Sequence, residues 1–267
     1  MKISVIVPTY KPQAYLWECL NSIYNQTFPK SDYELLLVLN GCNEPYNAQI
    51  AEWLSKHSDL QVQYFQTDEG GVSNARNIAL NNVKGEYVTF IDDDDLISSM
   101  YLEELYEKAS RTVVSLCYPL SFVDKTTNYI EYYITGDYNR NFDKKDISYE
   151  KARKYFSGPV YKLIHRDIIA DRRFDLRFKN GEDSIFMFLI SDRFEKVDFT
   201  SRNAVYYRRI REGSALARKK PFIDVVKNQL NMICAYCTIY FKHPLSYKLN
   251  FFFTRVLGAI HGAIEQI

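Results

Sequence analysis

At 267 residues with 46% hydrophobic content, the chain can bury a full core and reads as a globular protein of one large domain with room for an appendage. Thirty-four basic and thirty-three acidic residues leave a net charge of +1, so global charge gives no argument for a nucleic-acid or other polyanion partner. Five cysteines, Cys19, Cys42, Cys117, Cys234 and Cys237, are odd in number and irregularly spaced, and nothing near Met1 resembles a secretory signal, so a reduced, cytoplasmic protein is expected.

Short apolar runs at Ile3 to Val7, Leu35 to Leu39, Val62 to Phe65 and Tyr87 to Ile91 have strand length, and each leads through turn residues into a helix-like pattern. Leu16, Leu20, Ile23 and Tyr24 share one helical face, as do Ile50, Trp53 and Leu54, and Val72, Ala75 and Ala79. This β-α-β-α rhythm predicts a mostly parallel central sheet flanked by helices, with ligands bound beyond the carboxyl ends of its strands. Val113 to Tyr118 reads as a fifth strand. The tyrosine-rich stretch that follows, through Phe156, carries no clear pattern and is expected to shape an acceptor site. Val160 to Ile164 and Ala204 to Ile210 read as strands, and Asp183 to Ser191 as a helix. Beyond residue 220 the pattern changes in kind: Ile223 to Tyr240 and Leu249 to Ile260 repeat apolar residues every three or four positions, giving two amphipathic helices. Lys242, His243, Lys248 and Arg255 flank or interrupt their apolar faces, which suits docking on a membrane surface, packing on the sheet domain, or a dimer contact. No run of eighteen uncharged apolar residues occurs, so no classical membrane span is expected. Cys234 and Cys237 form C-x-x-C, but with no second pair or nearby histidine they read as packed helical cysteines.

Four consecutive aspartates, Asp92 to Asp95, follow the strand that ends at Ile91. Crowding like charges into one turn is costly unless a cation or a ring of donors offsets the repulsion, and Mg²⁺ or Mn²⁺ held by one or two carboxylates plus substrate phosphates is the natural partner. The alternative is a solvated acidic turn capping the helix that begins near Met100. From Tyr207 to Lys220 six basic residues stand against Glu212 alone, a local charge of +5 that suits phosphate or an anionic membrane.

Taken in order, Val5-Ile6-Val7-Pro8-Thr9-Tyr10, Gly71-Val72-Ser73-Asn74-Ala75-Arg76-Asn77, Gly85 through Asp95, and Gly181-Glu182-Asp183 resemble the family 2 glycosyltransferases of GT-A fold. The resemblance covers residues 2 to about 215. It implies an inverting transfer, dependent on Mn²⁺ or Mg²⁺, of a sugar from a nucleotide diphosphate donor to a glycan or lipid-linked saccharide. It also implies a glycosyltransferase domain over 1–220, with a nucleotide-binding half of about 1–118 and an acceptor half of about 119–220, followed by a helical appendage over 221–267. By resemblance, Asp92 contacts the ribose region, Asp93 supports the nucleotide and Asp94 coordinates the metal, while Asp95 supports the turn. Pro8, Thr9 and Tyr10 line the donor site, where Thr9 offers a hydroxyl and Tyr10 an aromatic face. Arg76 either contacts donor phosphates or holds the aspartate loop.

Inversion by direct displacement needs a base opposite the leaving diphosphate, and Asp183 is the candidate, with Glu182 orienting the acceptor or the base. Helix capping by these acids is the plainer alternative. Tyr206 to Ser214 resembles the lid-like stretch of the family, where Arg208, Arg209 or Arg211 would meet the diphosphate. Two positions depart from the pattern: Asn40 stands where acidic residues are common, which leaves UDP favoured but base identity open, and Lys11 follows the tyrosine in place of asparagine. No Gln-x-x-Arg-Trp signature occurs, so a single addition per encounter is expected. A sugar nucleotidyltransferase would be expected to carry a glycine- and basic-rich phosphate loop, which Pro8 to Pro12 lacks. A non-catalytic nucleotide-sugar binding or scaffold module is the non-enzymatic alternative.

Overall fold

The four apolar runs become neighbouring strands because helices cover both of their faces. The computed structural model describes residues 1–124, 128–211 and 221–264. Its first part runs β1 (Ile3–Thr9), α1 (Ala14–Tyr24), β2 (Tyr33–Asn40), α2 (Tyr46–Lys56), β3 (Gln61–Thr67), α3 (Val72–Leu80) and β4 (Tyr87–Phe90). β1 pairs in parallel with β2 and β4, and β2 with β3. Every residue of β1 and β2 is buried, whereas β3, at the sheet edge, is buried only in part. α3 differs in one detail from its apolar pattern. Val72 is exposed, because the inward face is that of Ser73, Ala75, Arg76 and Ala79.

The second part is built from shorter pieces: β5 (Leu96–Ile97), α4 (Tyr101–Lys108), β6 (Val113–Leu116), β7 (Tyr118–Val123), β8 (Tyr129–Ile130), α5 (Thr135–Asn141), β9 (Ile147–Ser148), a kinked 3₁₀ stretch over Tyr149–Ser157, β10 (Lys162–His165), α6 (Arg166–Ile169), α7 (Glu182–Leu189), β11 (Lys196–Phe199) and β12 (Val205–Ile210). The expected strand over Val113 to Tyr118 is in fact two strands in two sheets. It breaks at Cys117, whose N–H turns to the carbonyl of Tyr161 at 3.0 Å while Tyr118 N–H goes to Ala204 O at 2.9 Å. β6 joins an eight-stranded mixed sheet of order β3-β2-β1-β4-β10-β6-β11-β9, and β7 joins a four-stranded sheet of order β5-β12-β7-β8. β10 starts two residues later than expected, since Tyr161 takes a positive φ of 73° and swings the chain before the ladder begins.

Much of this half is held by tyrosine hydroxyls rather than by long ladders. Tyr138 donates to Thr200 O and Tyr155 to Cys117 O, each at 2.8 Å from a buried position. The chain closes with α8 (Phe222–Lys242) and α9 (Leu249–Ile264). Met232, Tyr236, Tyr247, Phe251 and Phe252 are buried in the core, and the last four rings gather around Phe188 of α7. The opposite faces of both helices keep large apolar residues in solvent, including Ile223, Leu230, Phe241, Phe253 and Leu257.

Candidate active site

The carboxyl ends of β1, β2 and β4 open onto one cleft. Thr9 donates to Asp93 Oδ2 at 2.5 Å, joining the end of β1 to the aspartate run. Asn40, at the end of β2, is buried with both ends of its amide engaged: Nδ2 donates to Thr9 O at 2.7 Å and Oδ1 accepts from Gly71 N at 2.9 Å. Its side chain therefore clamps the start of α3 to the end of β1. Tyr10 stands open beside it, 52% exposed. A side chain at Gly41 would come within 3.2 Å of that ring and 2.9 Å of Gly70 Cα, and Gly41 takes a φ of 66°, so both space and backbone call for glycine here.

The aspartates divide into different environments. Asp95 N–H closes a tight turn onto Asp92 O at 3.1 Å, and the Asp95 carboxylate is buried and accepts from Arg209 N at 2.7 Å, so it builds the turn. Arg209 is buried too. Its Nε donates to Asp94 O, Nη1 to Asp124 and Nη2 to Glu18, so the guanidinium ties α1, β7 and the aspartate loop together. Arg211 Nε meets Asp94 Oδ2 at 2.6 Å, and its guanidinium lies 4.7 Å from the Tyr15 ring. Arg208 faces the ring of Tyr132 at 5.8 Å. Residues 212–220 of the expected lid and basic patch, with Ser214, Arg218, Lys219 and Lys220, lie outside the described residues.

Asp183 arrives from the far half of the chain. Gly181 precedes α7 with a φ of 82°, and a side chain there would meet Met232 of α8 at 2.3 Å, so α8 packs directly on this turn. Arg76, only 3% exposed, spans the cleft floor: Nη1 donates to Asp183 Oδ1 at 2.6 Å and Nη2 to Asp92 Oδ1 at 2.9 Å. Burial pulls the Arg76 pKa down, but Asp183 and then Asp92 outweigh it and leave it raised. Both terminal nitrogens are thus committed to carboxylates, one on each side of the cleft. Glu182 is buried beside Asp183. Over the other oxygen of Asp183 lies the loop at Gly158, where a Cβ would stand 4.0 Å from Oδ2.

That loop is shaped by Lys162, which no sequence motif marks. Its Nζ, at the buried start of β10, donates to the carbonyls of Tyr155, Gly158 and Val160 at 2.8, 2.6 and 2.7 Å. Burial draws its pKa down to about 7, while three carbonyl acceptors match the three donors of an ammonium. The one signal in the sequence is a lone lysine inside an apolar run. Tyr206, which accepts from Asp92 N at 3.1 Å, carries no such mark.

Negative charge in the aspartate loop is only partly offset. Burial pushes Asp93 up to about 7 against the pull of Thr9, and the charges of Asp94 and Asp92 add to the rise. Burial likewise raises Asp92, although Arg76 opposes it, and raises Asp95 well above the carboxylate range. Arg76 on Asp92 and Arg211 on Asp94 supply the cations that face the loop. Among the described residues no three His, Cys, Asp or Glu side chains converge to cage an ion. An ion held by one carboxylate and completed by substrate phosphates would need no such cage.

An N-terminal half of parallel strands, an acidic loop at its carboxyl edge and a second carboxylate brought against it through Arg76 are the architecture of a GT-A glycosyltransferase. Residues 4–173 match the family model described as Glycosyl transferase family 2, and the chain belongs to that family. It is 27% identical over 241 residues to the poly(ribitol-phosphate) beta-N-acetylglucosaminyltransferase TarS of Staphylococcus aureus, covering 85% of this chain and 39% of TarS. It is 33% identical over 228 residues to the glycosyltransferase GlyA of Streptococcus pneumoniae, covering 80% of this chain and 31% of GlyA. The chain therefore spans between 31% and 39% of the length of these relatives. Among solved structures, S. aureus TarS 1–349 in complex with UDP-GlcNAc superposes with a TM-score of 0.69 at 23% identity, covering 100% of this chain and 82% of that one. A mannosyltransferase of Pyrobaculum calidifontis in complex with GDP-Man and Mn²⁺ gives 0.63 at 16% identity, covering 99% of this chain and 73% of that one. At these identities the likeness to solved structures establishes the fold.

Proposed function

We propose that the chain is an inverting transferase that moves one sugar from a UDP-sugar to a hydroxyl of a lipid-linked or polyol-phosphate saccharide. One observation supports this reading above the others: Arg76 holds Asp183 and Asp92 on a single buried guanidinium, so a base on the acceptor side faces the donor loop across one residue. Asp183 takes the proton of the acceptor hydroxyl as its oxygen bonds to the anomeric carbon, and the bond from that carbon to the diphosphate breaks with inversion. The nucleoside diphosphate leaves carrying the electron pair. Asp94 would hold Mn²⁺ or Mg²⁺, which when bound neutralises charge on the diphosphate. In this reading Arg211, paired with Asp94, binds the same group, Tyr10 stacks on the base, and Thr9 and Asp93 support the nucleotide. UDP is favoured because TarS is solved with UDP-GlcNAc.

The outer face of α8 and α9 supports reversible membrane attachment. Phe241 and Leu245 stand 68% and 102% exposed on either side of Lys242 and His243 at the turn between the helices, an apolar tip with the Lys242 ammonium beside it that suits an anionic lipid surface. None of the described helices is long and apolar enough to cross a membrane.

Calorimetric titration of UDP, GDP and dTDP, with Mn²⁺ and again with EDTA, tests the donor site. Metal-dependent binding of UDP, lost in Asp94→Ala, is the expected result, and failure of all three nucleotides to bind overturns the reading. Co-sedimentation with vesicles tests the tip: wild type should pellet with anionic vesicles and Leu245→Asp should not, while a wild type that stays in the supernatant removes the membrane from the proposal.

A further inference from the structure

Arg255 of α9 lies against the residue that follows the base. Its Nη1 reaches Ser184 Oγ at 3.3 Å and its Nη2 the carbonyl of Arg153 at 3.0 Å. The guanidinium sits 4.4 Å from the Phe251 ring, and Nε has no hydrogen-bond partner among the described residues. Burial lowers its pKa to about 10, and the guanidinium makes no ion pair among the described residues. A desolvated guanidinium without a counter-charge is unfavourable unless an anion completes the site.

The surroundings point to which anion. A cavity of about 530 Å³ opens between the 3₁₀ stretch and α9, lined by Arg140, Lys151, Arg153, Lys154, Asn250 and Thr254. Its two acids are already engaged, Asp137 with Arg140 and Lys154, and Glu150 with Lys248 at 3.5 Å. Lys151 and Arg153 make no ion pair among the described residues. Tyr133, 54% exposed, touches the cavity's edge, where its carbonyl accepts from Lys154 Nζ, and its hydroxyl lies 3.3 Å from Ser157 Oγ. Ser157 adjoins Gly158, the residue packed over Asp183. An open aromatic ring suited to a sugar or polyol face thus adjoins both the loop over Asp183 and the cavity that holds Lys151 and Arg153.

We propose that this surface is an acceptor subsite for phosphate, in which Arg255, Arg153 and Lys151 hold a phosphate of the acceptor while a neighbouring hydroxyl is presented to Asp183. The assignment rests on the glycosyltransferase reading above and adds the acceptor's charge to it. Such a phosphate belongs either to a polyol-phosphate chain or to the diphosphate of a lipid-linked saccharide.

The test titrates UDP-saturated protein with a ribitol-phosphate trimer, with N-acetylglucosamine on a short water-soluble prenyl diphosphate, and with uncharged chitobiose. One phosphate probe should bind at least about 10-fold more tightly than chitobiose, and the one that does identifies the source. Arg255→Gln, and separately the surface pair Lys151→Gln with Arg153→Gln, should each weaken it by about 10-fold while leaving UDP affinity within about 2-fold of wild type. If Arg255→Gln does not fold, the surface pair decides. Equal binding of the phosphate probe by wild type and the surface pair, or no binding of either phosphate probe, overturns the subsite. Failure of the glycosyltransferase reading would register differently, as loss of UDP binding in wild type with the probe still bound.

Discussion

The two halves of the cleft reach the same precision by different means. On the donor side, positions are set by a parallel ladder: Thr9 and Asn40 end paired, fully buried strands, and their side chains only add a clamp between strand ends. On the acceptor side the strands are two to six residues long, and position comes from side chains bonded to backbone or to one another: Lys162 to three carbonyls, Tyr155 to Cys117, Tyr138 to Thr200 and Tyr236 to Ser184. A ladder distributes its stabilisation over many groups, whereas a single ammonium concentrates it. Single substitutions should therefore disturb the acceptor half more.

The largest effect is on chemistry at the meeting point of the halves. Asp183→Asn keeps the size and one acceptor oxygen of the side chain but removes the proposed base, so transfer should fall by about 10²–10⁴-fold with UDP affinity nearly unchanged, read from turnover and calorimetry on one preparation. Parallel loss of both would show that the residue supports the fold of the donor site instead. Next is Arg76→Met. It leaves Asp92 and Asp183 facing each other without their shared cation, and should cost about 3 kcal/mol in denaturant unfolding, below the largest values for buried pairs because both carboxylates reach solvent. Turnover should drop with it. If stability holds while turnover falls, the arginine orients the base without supporting the fold.

Legibility in sequence follows the same division. The donor strands could be read because a strand covered on both faces is a continuous apolar run, and strand ends are where ligands gather in such sheets. The motif residues Thr9, Arg76, Asp92 to Asp95 and Asp183 do converge on one cleft. Their partners were not legible, since Asn40 engaging Gly71 and Arg209 engaging Glu18 join positions far apart in the chain and leave no periodic trace. The split at Cys117 was hidden for a related reason: Val113 to Tyr118 is apolar almost throughout, and the nearest breaker, Pro119, comes two residues after the break, inside the second strand.

Lys162→Met sharpens the comparison directly. The methionine fills the space but leaves three carbonyls without their donor, and about 2 kcal/mol of stability should be lost at neutral pH. The sign with pH is fixed by linkage. Because burial lowers the Lys162 pKa from 10.5 to about 7, the native protein binds fewer protons than the unfolded chain between those values, and wild-type stability gains a positive slope with pH across that window. Methionine removes the slope. The deficit of Lys162→Met should therefore be larger at pH 9 than at pH 7, and a deficit independent of pH would mean that Lys162 acts through packing alone.

The smallest effect tests how far the C-terminal helices stabilise the turn that carries Asp183. Tyr236 of α8 donates to Ser184 Oγ at 2.8 Å, the same oxygen that Arg255 approaches from α9. Tyr236→Phe keeps the ring packed on Phe188 and removes one hydrogen bond, which should cost about 1 kcal/mol and leave the acceptor KM little changed, because Arg255 still bonds Ser184. Ser184→Ala removes the acceptor from both partners at once, so its effect should exceed that of Tyr236→Phe and should reach the acceptor KM. Should the two variants match in stability and KM, Arg255 would not be acting through Ser184, and the helices would hold the base turn only by the apolar contacts of Met232 and Phe188.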